Sequence, residues 1–303
     1  MIAVVGATGY IGGLLARHLA EGGEEVAALA RHPERAEELA GAGCELRTAD
    51  VLEPDTLGPA LEGADVAYFL VHAMGRGGDA DFAQREQDGA RNFARAAVAA
   101  GVKRIVYLGG LGSGSAHLNS RHATAVTLQA GEVPVAYYRA AAVIGAGSES
   151  FRTVYYLVRR LPAMVTPKWT TVRTQPIAVK DVITDLAAAT DLTLPLDREI
   201  QIGGPDITTY GGMIDELAAA MDRRPPLRVT VPVLTPRLSS LWVGLVTPVD
   251  TGVARPLIEG LSHETVVSDP TGMEALPARP RIPLDEALRE AVEEIAGEKA
   301  ARD

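Results

Sequence analysis

Short apolar runs alternate with amphipathic stretches through the first half of the chain. Ile2-Ala3-Val4-Val5 is apolar throughout and leads into glycines. Ile11, Leu14, Leu15, His18 and Leu19 then fall on one side of a helix of period near 3.6. Val26-Ala27-Ala28-Leu29-Ala30 reads as a second strand, and Pro33 stands where a helix would begin. A third strand is predicted from Cys44 to Ala49, ending at Asp50. Val66 to Val71 is nearly continuous in apolar residues, as expected of a strand buried on both faces. A long helix is predicted from about Asp79 to Ala100 with Gly101 as its stop, followed by strands at Arg104 to Leu108 and Val133 to Tyr138.

Repeated strand–helix units of this length predict an α/β fold, a doubly wound parallel sheet of the Rossmann type. The second half changes character. Prolines from Pro162 to Pro236 break it into short helices (Phe151 to Leu161, Thr208 to Met221) and short strands (Ile200 to Ile202, Val229 to Val231). The expected division is a nucleotide-binding domain over 1–145 and a smaller C-terminal substrate lobe over 146–303. Within that lobe, 176–190 is expected to pack back on the sheet. Leu276 to Pro283 reads as a proline-broken linker before a last helix carrying Leu284, Leu288, Val292 and Ile295 on one side.

Composition narrows the function classes. The chain has 303 residues, 47% hydrophobic and 22% charged, in the range of a globular protein. Its 29 basic and 39 acidic side chains give a formal charge of −10, which argues against a nucleic-acid or anionic-membrane partner. No apolar run reaches the roughly 20 residues of a membrane span. Cys44 is the single cysteine and reads as a small core residue; it allows no internal disulfide and suits a cytoplasmic protein. The six histidines show no metal-binding spacing, so no metal site is expected.

The candidate chemistry begins at Val4-Val5-Gly6-Ala7-Thr8-Gly9-Tyr10-Ile11-Gly12-Gly13. The order strand, glycine turn, helix suits a dinucleotide. Gly6 permits the tight turn, Gly9 lets the backbone approach a pyrophosphate, and Gly12 lets the helix pack on the strand. The helix N-terminus then offers N–H groups and a positive dipole end to phosphates. Ala7, Thr8, Tyr10 and Ile11 complete the predicted cofactor turn. An NAD-selective site usually places an acid at the end of the second strand. Here that strand ends Leu29-Ala30-Arg31-His32, and a guanidinium at Arg31 instead attracts a 2′-phosphate and stacks on adenine. The expected cofactor is therefore NADP(H), with NAD(H) the lesser candidate. His72, at the C-terminal edge of the fourth strand beside Val71, falls on the ligand side of such a sheet.

The Gly-x-x-Gly-x-x-Gly spacing resembles the extended and atypical short-chain dehydrogenase/reductase superfamily. Longer strings resemble its NmrA-like/YbjT-like NAD(P)H-binding branch: Tyr68-Phe69-Leu70-Val71-His72-Ala73-Met74, Arg104-Ile105-Val106-Tyr107-Leu108-Gly109-Gly110-Leu111-Gly112, Pro176 to Val182, and Leu238 to Pro248. The resemblance implies that Asp50-Val51 meets the adenine ring and that Arg139 to Gly145, including Ala140 and Val143, flanks the nicotinamide. It also exposes a departure. The superfamily's Tyr-x-x-x-Lys pair is replaced by His117 and Arg121, and Gly109 and Gly110 stand where a serine is expected, with Ser113 and Ser115 following. Two readings stay open. In one, His117 is the general acid/base and Arg121 holds the cofactor, with hydride passing to a small apolar carbonyl, enone, imine or quinone substrate. In the other, His117 only begins a helix and the protein is a non-catalytic NADP(H)-binding redox sensor or scaffold. Phe151, Trp169, Tyr210 and Trp242 are aromatics of the second lobe that either line a cleft or belong to its core.

Overall fold

The computed structural model describes residues 1–71, 79–166, 168–230 and 263–300. Seven parallel strands form one sheet. They are β1 (Ile2–Val5), β2 (Val26–Ala30), β3 (Glu45–Thr48), β4 (Val66–Phe69), β5 (Arg104–Gly110), β6 (Val135–Ala140) and, from the second half of the chain, Glu199–Ile202. Their spatial order places β1 beside both β2 and β4, so the direction of winding reverses at the strand that carries the glycine turn. That reversal opens a crevice above the C-terminal ends of β1 and β4, which is where ligands bind in such sheets.

The apolar runs divide between two faces with the period of a strand. Ala3, Val5, Leu29, Phe69, Ile105, Tyr107 and Tyr137 pack on one side, under α3 (Pro54–Leu61), α4 (Asp79–Ala99) and α5 (Ala116–Gln129). Val4, Ala28, Tyr68, Val106 and Tyr138 pack on the other, under α1 (Tyr10–Glu21) and α7 (Val179–Ala187). A separate core joins α6 (Glu149–Arg160), α8 (Tyr210–Ala220) and the last helix, Leu284–Ala300.

The expected strands are present, with shifted ends. Strand β6 begins two residues later than expected, at the first residue after Pro134, which has no N–H to give to a ladder. It continues to Ala140 because β5 extends to Gly110, its partner. Strand β4 stops at Phe69, opposite Val5, because β1 turns away at Gly6. Cys44 precedes β3 and is buried, its thiol near the Ala16 carbonyl at 3.6 Å. The seventh strand, expected as a short strand of the second lobe from Ile200 to Ile202, instead joins the sheet and aligns Glu199 with Tyr137 and Ile202 with Ala140.

Buried polar groups fasten the second half to the sheet. Tyr68 donates to the Leu186 carbonyl at 2.8 Å. Arg104, 2% exposed, pairs with Asp197 and donates to the carbonyls of Ala189, Asp191 and Leu194. Arg279 and Arg281, in the proline-broken linker, reach the buried carboxylates of Asp181 and Asp185 on α7. Among the described residues, no helix is long and apolar enough to cross a membrane and no His/Cys/Asp/Glu group could hold a metal ion.

Candidate functional site

The turn after β1 has no room for side chains at its corners. Gly6 has φ +92°, and a Cβ there would lie 2.7 Å from the Leu70 carbonyl oxygen. A Cβ at Gly12 would collide with the Gly6 carbonyl, so α1 starts tight against the turn. Gly9 donates its N–H to the Gly6 oxygen at 2.9 Å and stands before α1 without a side-chain cap. The leading N–H groups of the helix therefore face the crevice. Ala7 is buried and Thr8 exposed. Ile11 packs partly into the core. The Tyr10 ring lies on Gly147, where a Cβ would strike it, and burial pushes its phenol up to about 12.

Two cavities meet at this turn, sharing Gly9, Leu70 and Val71. The smaller, of 280 Å³, is lined by Gly6, Thr8, Arg31, Asp50 and Val51. Arg31 is exposed and has no ion-pair or hydrogen-bond partner among the described residues. One oxygen of Asp50 accepts the Leu52 N–H at 2.9 Å, so the carboxylate shapes its own loop. Val51 is held from α4: Asn92 donates to its carbonyl at 3.0 Å, and a Cβ at Gly89 would stand 2.8 Å from its Cγ2. Arg85, Glu86 and Thr124 also line this cavity. They carry no signal in the sequence because nothing local marks a helix residue as facing a loop dozens of positions earlier; for Arg85 the one available signal is its four-residue spacing from Gly89.

The larger cavity, of 580 Å³, brings together Tyr10, Ile11, Gly12, Gly109, Gly110, Arg121, Ala140 and Val143. Ser148, Ser150, Tyr210 and Thr265 line it as well. Gly109 and Gly110 have a packing reason for their missing side chains. A Cβ at Gly109 would come within 2.7 Å of the Tyr137 ring, and one at Gly110 within 2.5 Å of Leu118 Cδ2. Ser115 caps α5, its hydroxyl accepting the Leu118 N–H at 3.1 Å. Arg121 donates from Nη2 to the Leu108 carbonyl at 2.6 Å, while its Nε is buried with no hydrogen-bond partner among the described residues. Burial pushes the Tyr107 phenol up to about 12, an effect that the charge of Arg121 opposes. Arg139, read as flanking the nicotinamide, turns its guanidinium away to Glu199 and to the carbonyls of Gly110 and Gly112, and so fixes the loop after β5.

His117 is the second residue of α5, one turn before Arg121. His72 and Trp242, and the Trp169 and His117 side chains, lie outside the described residues. Phe151 belongs to the small-lobe core, whereas Tyr210 is buried and also borders the larger cavity. Thr265, whose hydroxyl donates to Thr174 at 2.8 Å, was not foreseen, because no local pattern marks a residue that meets a segment 91 positions away.

Residues 6–175 match the NAD(P)H-binding family. No curated protein matches the sequence. Among solved structures, the chain is similar to the Citrobacter sp. triphenylmethane reductase complexed with NADP(H), at 20% identity and a TM-score of 0.74, covering 96% of this chain and 99% of that one. It is similar to a nucleoside-diphosphate-sugar epimerase from Staphylococcus aureus, at 14% identity and a TM-score of 0.76, over 95% and 99%. It is also similar to TunA, a NAD-dependent NDP-hexosamine 5,6-dehydratase, at 17% identity and a TM-score of 0.71, over 98% and 97%. At these identities the likeness establishes the fold.

Proposed function

The chain belongs to the NAD(P)H-binding family, and from that premise we propose that it is a cytoplasmic NADPH-dependent oxidoreductase acting on a small apolar carbonyl, enone, imine or quinone. The observation that carries this reading is the pair of cavities meeting at the glycine turn, each with an arginine that has hydrogen-bonding capacity to spare. The residues fit a dinucleotide. A Cβ at Gly6 or Gly12 would strike the main chain of Leu70 or of Gly6, so only glycine lets the turn bring the start of α1 this close to the crevice. The orphaned Nε of Arg121 is a buried donor waiting for an acceptor, and such a group costs about 1–3 kcal/mol when left unmet.

Arg31, with no acid at the end of β2 to oppose it, attracts the 2′-phosphate, which favours NADPH over NADH. The α1 N-terminus takes the pyrophosphate. Arg121 holds the nicotinamide ribose through Nε, its orientation fixed by the Leu108 carbonyl. Small residues at Gly109, Ala140, Ala141 and Ala142 allow close approach to a flat ring. When bound, NADPH supplies the hydride. His117, one turn from Arg121, is assigned the proton, because an imidazole titrates near working pH.

A second reading, a non-catalytic NADP(H)-binding redox sensor or scaffold, draws on the filled serine position. Tyr137 occupies the space a side chain at Gly109 would need, and Ser115 serves as a helix cap. Single-turnover oxidation of bound NADPH by a panel of quinones, enones and carbonyls separates the two. The oxidoreductase oxidises its NADPH with at least one acceptor, and His117→Ala slows that step by about 10²–10⁴. Tight NADPH binding with no oxidation across the panel would favour the sensor.

A further inference from the structure

Helix α4 presents a stripe to the loop between β3 and α3. Gly89 lies against Val51, and Asn92 donates to the Val51 carbonyl. Counting back four residues from Gly89 gives Arg85, so positions 85, 89 and 92 share one face of the helix. Arg85 is thus one turn from the contact with Val51, and it lines the 280 Å³ cavity together with Ala49, Val51 and Leu52. Its neighbours are occupied: Arg91 pairs with Asp88 at 2.8 Å, and Glu86 accepts from Ser120 at 2.7 Å. Arg85 is exposed and has no ion pair or hydrogen bond among the described residues.

From this placement we infer that Arg85 closes over the adenine ring of the coenzyme, its guanidinium stacked on the face opposite Val51. The inference rests on the proposed coenzyme site and adds to it a residue with a distinct task. The phosphates have their own partners in the glycine turn, at the start of α1 and at Arg31. Arg85 lines the same cavity as Val51 and keeps its guanidinium uncommitted. A planar guanidinium is suited to that position, because it stacks on a π face while its edge stays hydrated. A stack of this kind ignores the 2′-phosphate, so Arg85 contributes affinity and Arg31 contributes selectivity.

Calorimetry on the full chain tests the assignment, with NADPH and NADH each titrated at about 50 mM and about 500 mM salt. Arg85→Ala is expected to weaken both coenzymes alike, by about fivefold, at either salt concentration, with an unchanged melting temperature. A loss confined to NADPH would assign Arg85 to the 2′-phosphate, and a loss that fades at high salt would assign it to the pyrophosphate; either overturns the stack. Unchanged binding of both coenzymes to Arg85→Ala overturns it while leaving the proposed function intact. Wild-type protein that binds neither coenzyme removes both.

Discussion

At the smaller cavity two arginines stand in solvent, and at the larger one Arg121 is half-buried and tied to the main chain. Arg31 and Arg85 are exposed and make no internal bonds among the described residues, so the fold spends nothing on placing them. Arg121 is anchored by a carbonyl, hides its Nε, and acts electrostatically on the buried Tyr107. The first arrangement recognises charge by attraction across water, which is tunable and screened by salt. The second commits a donor in advance, so that meeting a partner removes a penalty already present in the empty fold. An exposed end can therefore vary its preference between coenzymes without unsettling the core, whereas the buried end tolerates little change.

The turn shared by both ends should give the largest effect. Gly12→Ala drives a methyl group into the Gly6 carbonyl; it is expected to destabilise the protein by about 1–3 kcal/mol and abolish NADPH binding in calorimetry. Near-normal affinity in that variant would place the phosphates elsewhere. At the buried end, Arg121→Ala should slow single-turnover hydride transfer by on the order of 10², a loss that added salt leaves unchanged. A defect that vanished on changing salt would mean Arg121 behaves like the exposed arginines. At the exposed end, Arg31→Ala should weaken NADPH by about tenfold or more and leave NADH within about twofold, as measured by calorimetry. Equal losses for the two coenzymes would detach Arg31 from the 2′-phosphate.

The smallest effect concerns pH. The Tyr107 phenol is raised from 10.0 to about 12 by burial, so the folded protein holds its proton more tightly than the unfolded chain. The stability this contributes is complete below pH 10 and is lost as pH rises from there through about 12. Melting temperature should fall across that interval and fall less steeply in Tyr107→Phe. The correction is partial, because burial also raises Tyr68 and Tyr138. Identical slopes would show that burial does not hold the Tyr107 proton.

The alternation of apolar runs and amphipathic helices was enough to read the parallel sheet, and the glycine spacing was enough to read its ligand class. Both are local properties: a strand buried on two faces must be apolar throughout, and a turn this crowded admits only glycine. The eight-residue helix Pro54–Leu61 went unread, since Pro59 and Gly58 inside it mask its period. Candidate residues near the strand ends, such as Arg31, Asp50 and Gly110, were legible because the sheet's geometry places every strand end on one rim.

What the sequence could not express is which distant groups share a space. Gly109 reads as a missing serine until Tyr137 is seen filling its place, and Ser115 reads as a serine close to that position until it is seen capping α5. Glu199–Ile202 joins the sheet only because Arg104 gathers the carbonyls before it and β6 offers an open edge. Arg85 enters the site only because α4 lies across Val51. Periodicity and turn chemistry act between neighbours in the chain, so the sequence by itself determined the elements and the coenzyme turn. Contacts between residues dozens of positions apart depend on how those elements pack, and only the tertiary structure decided them.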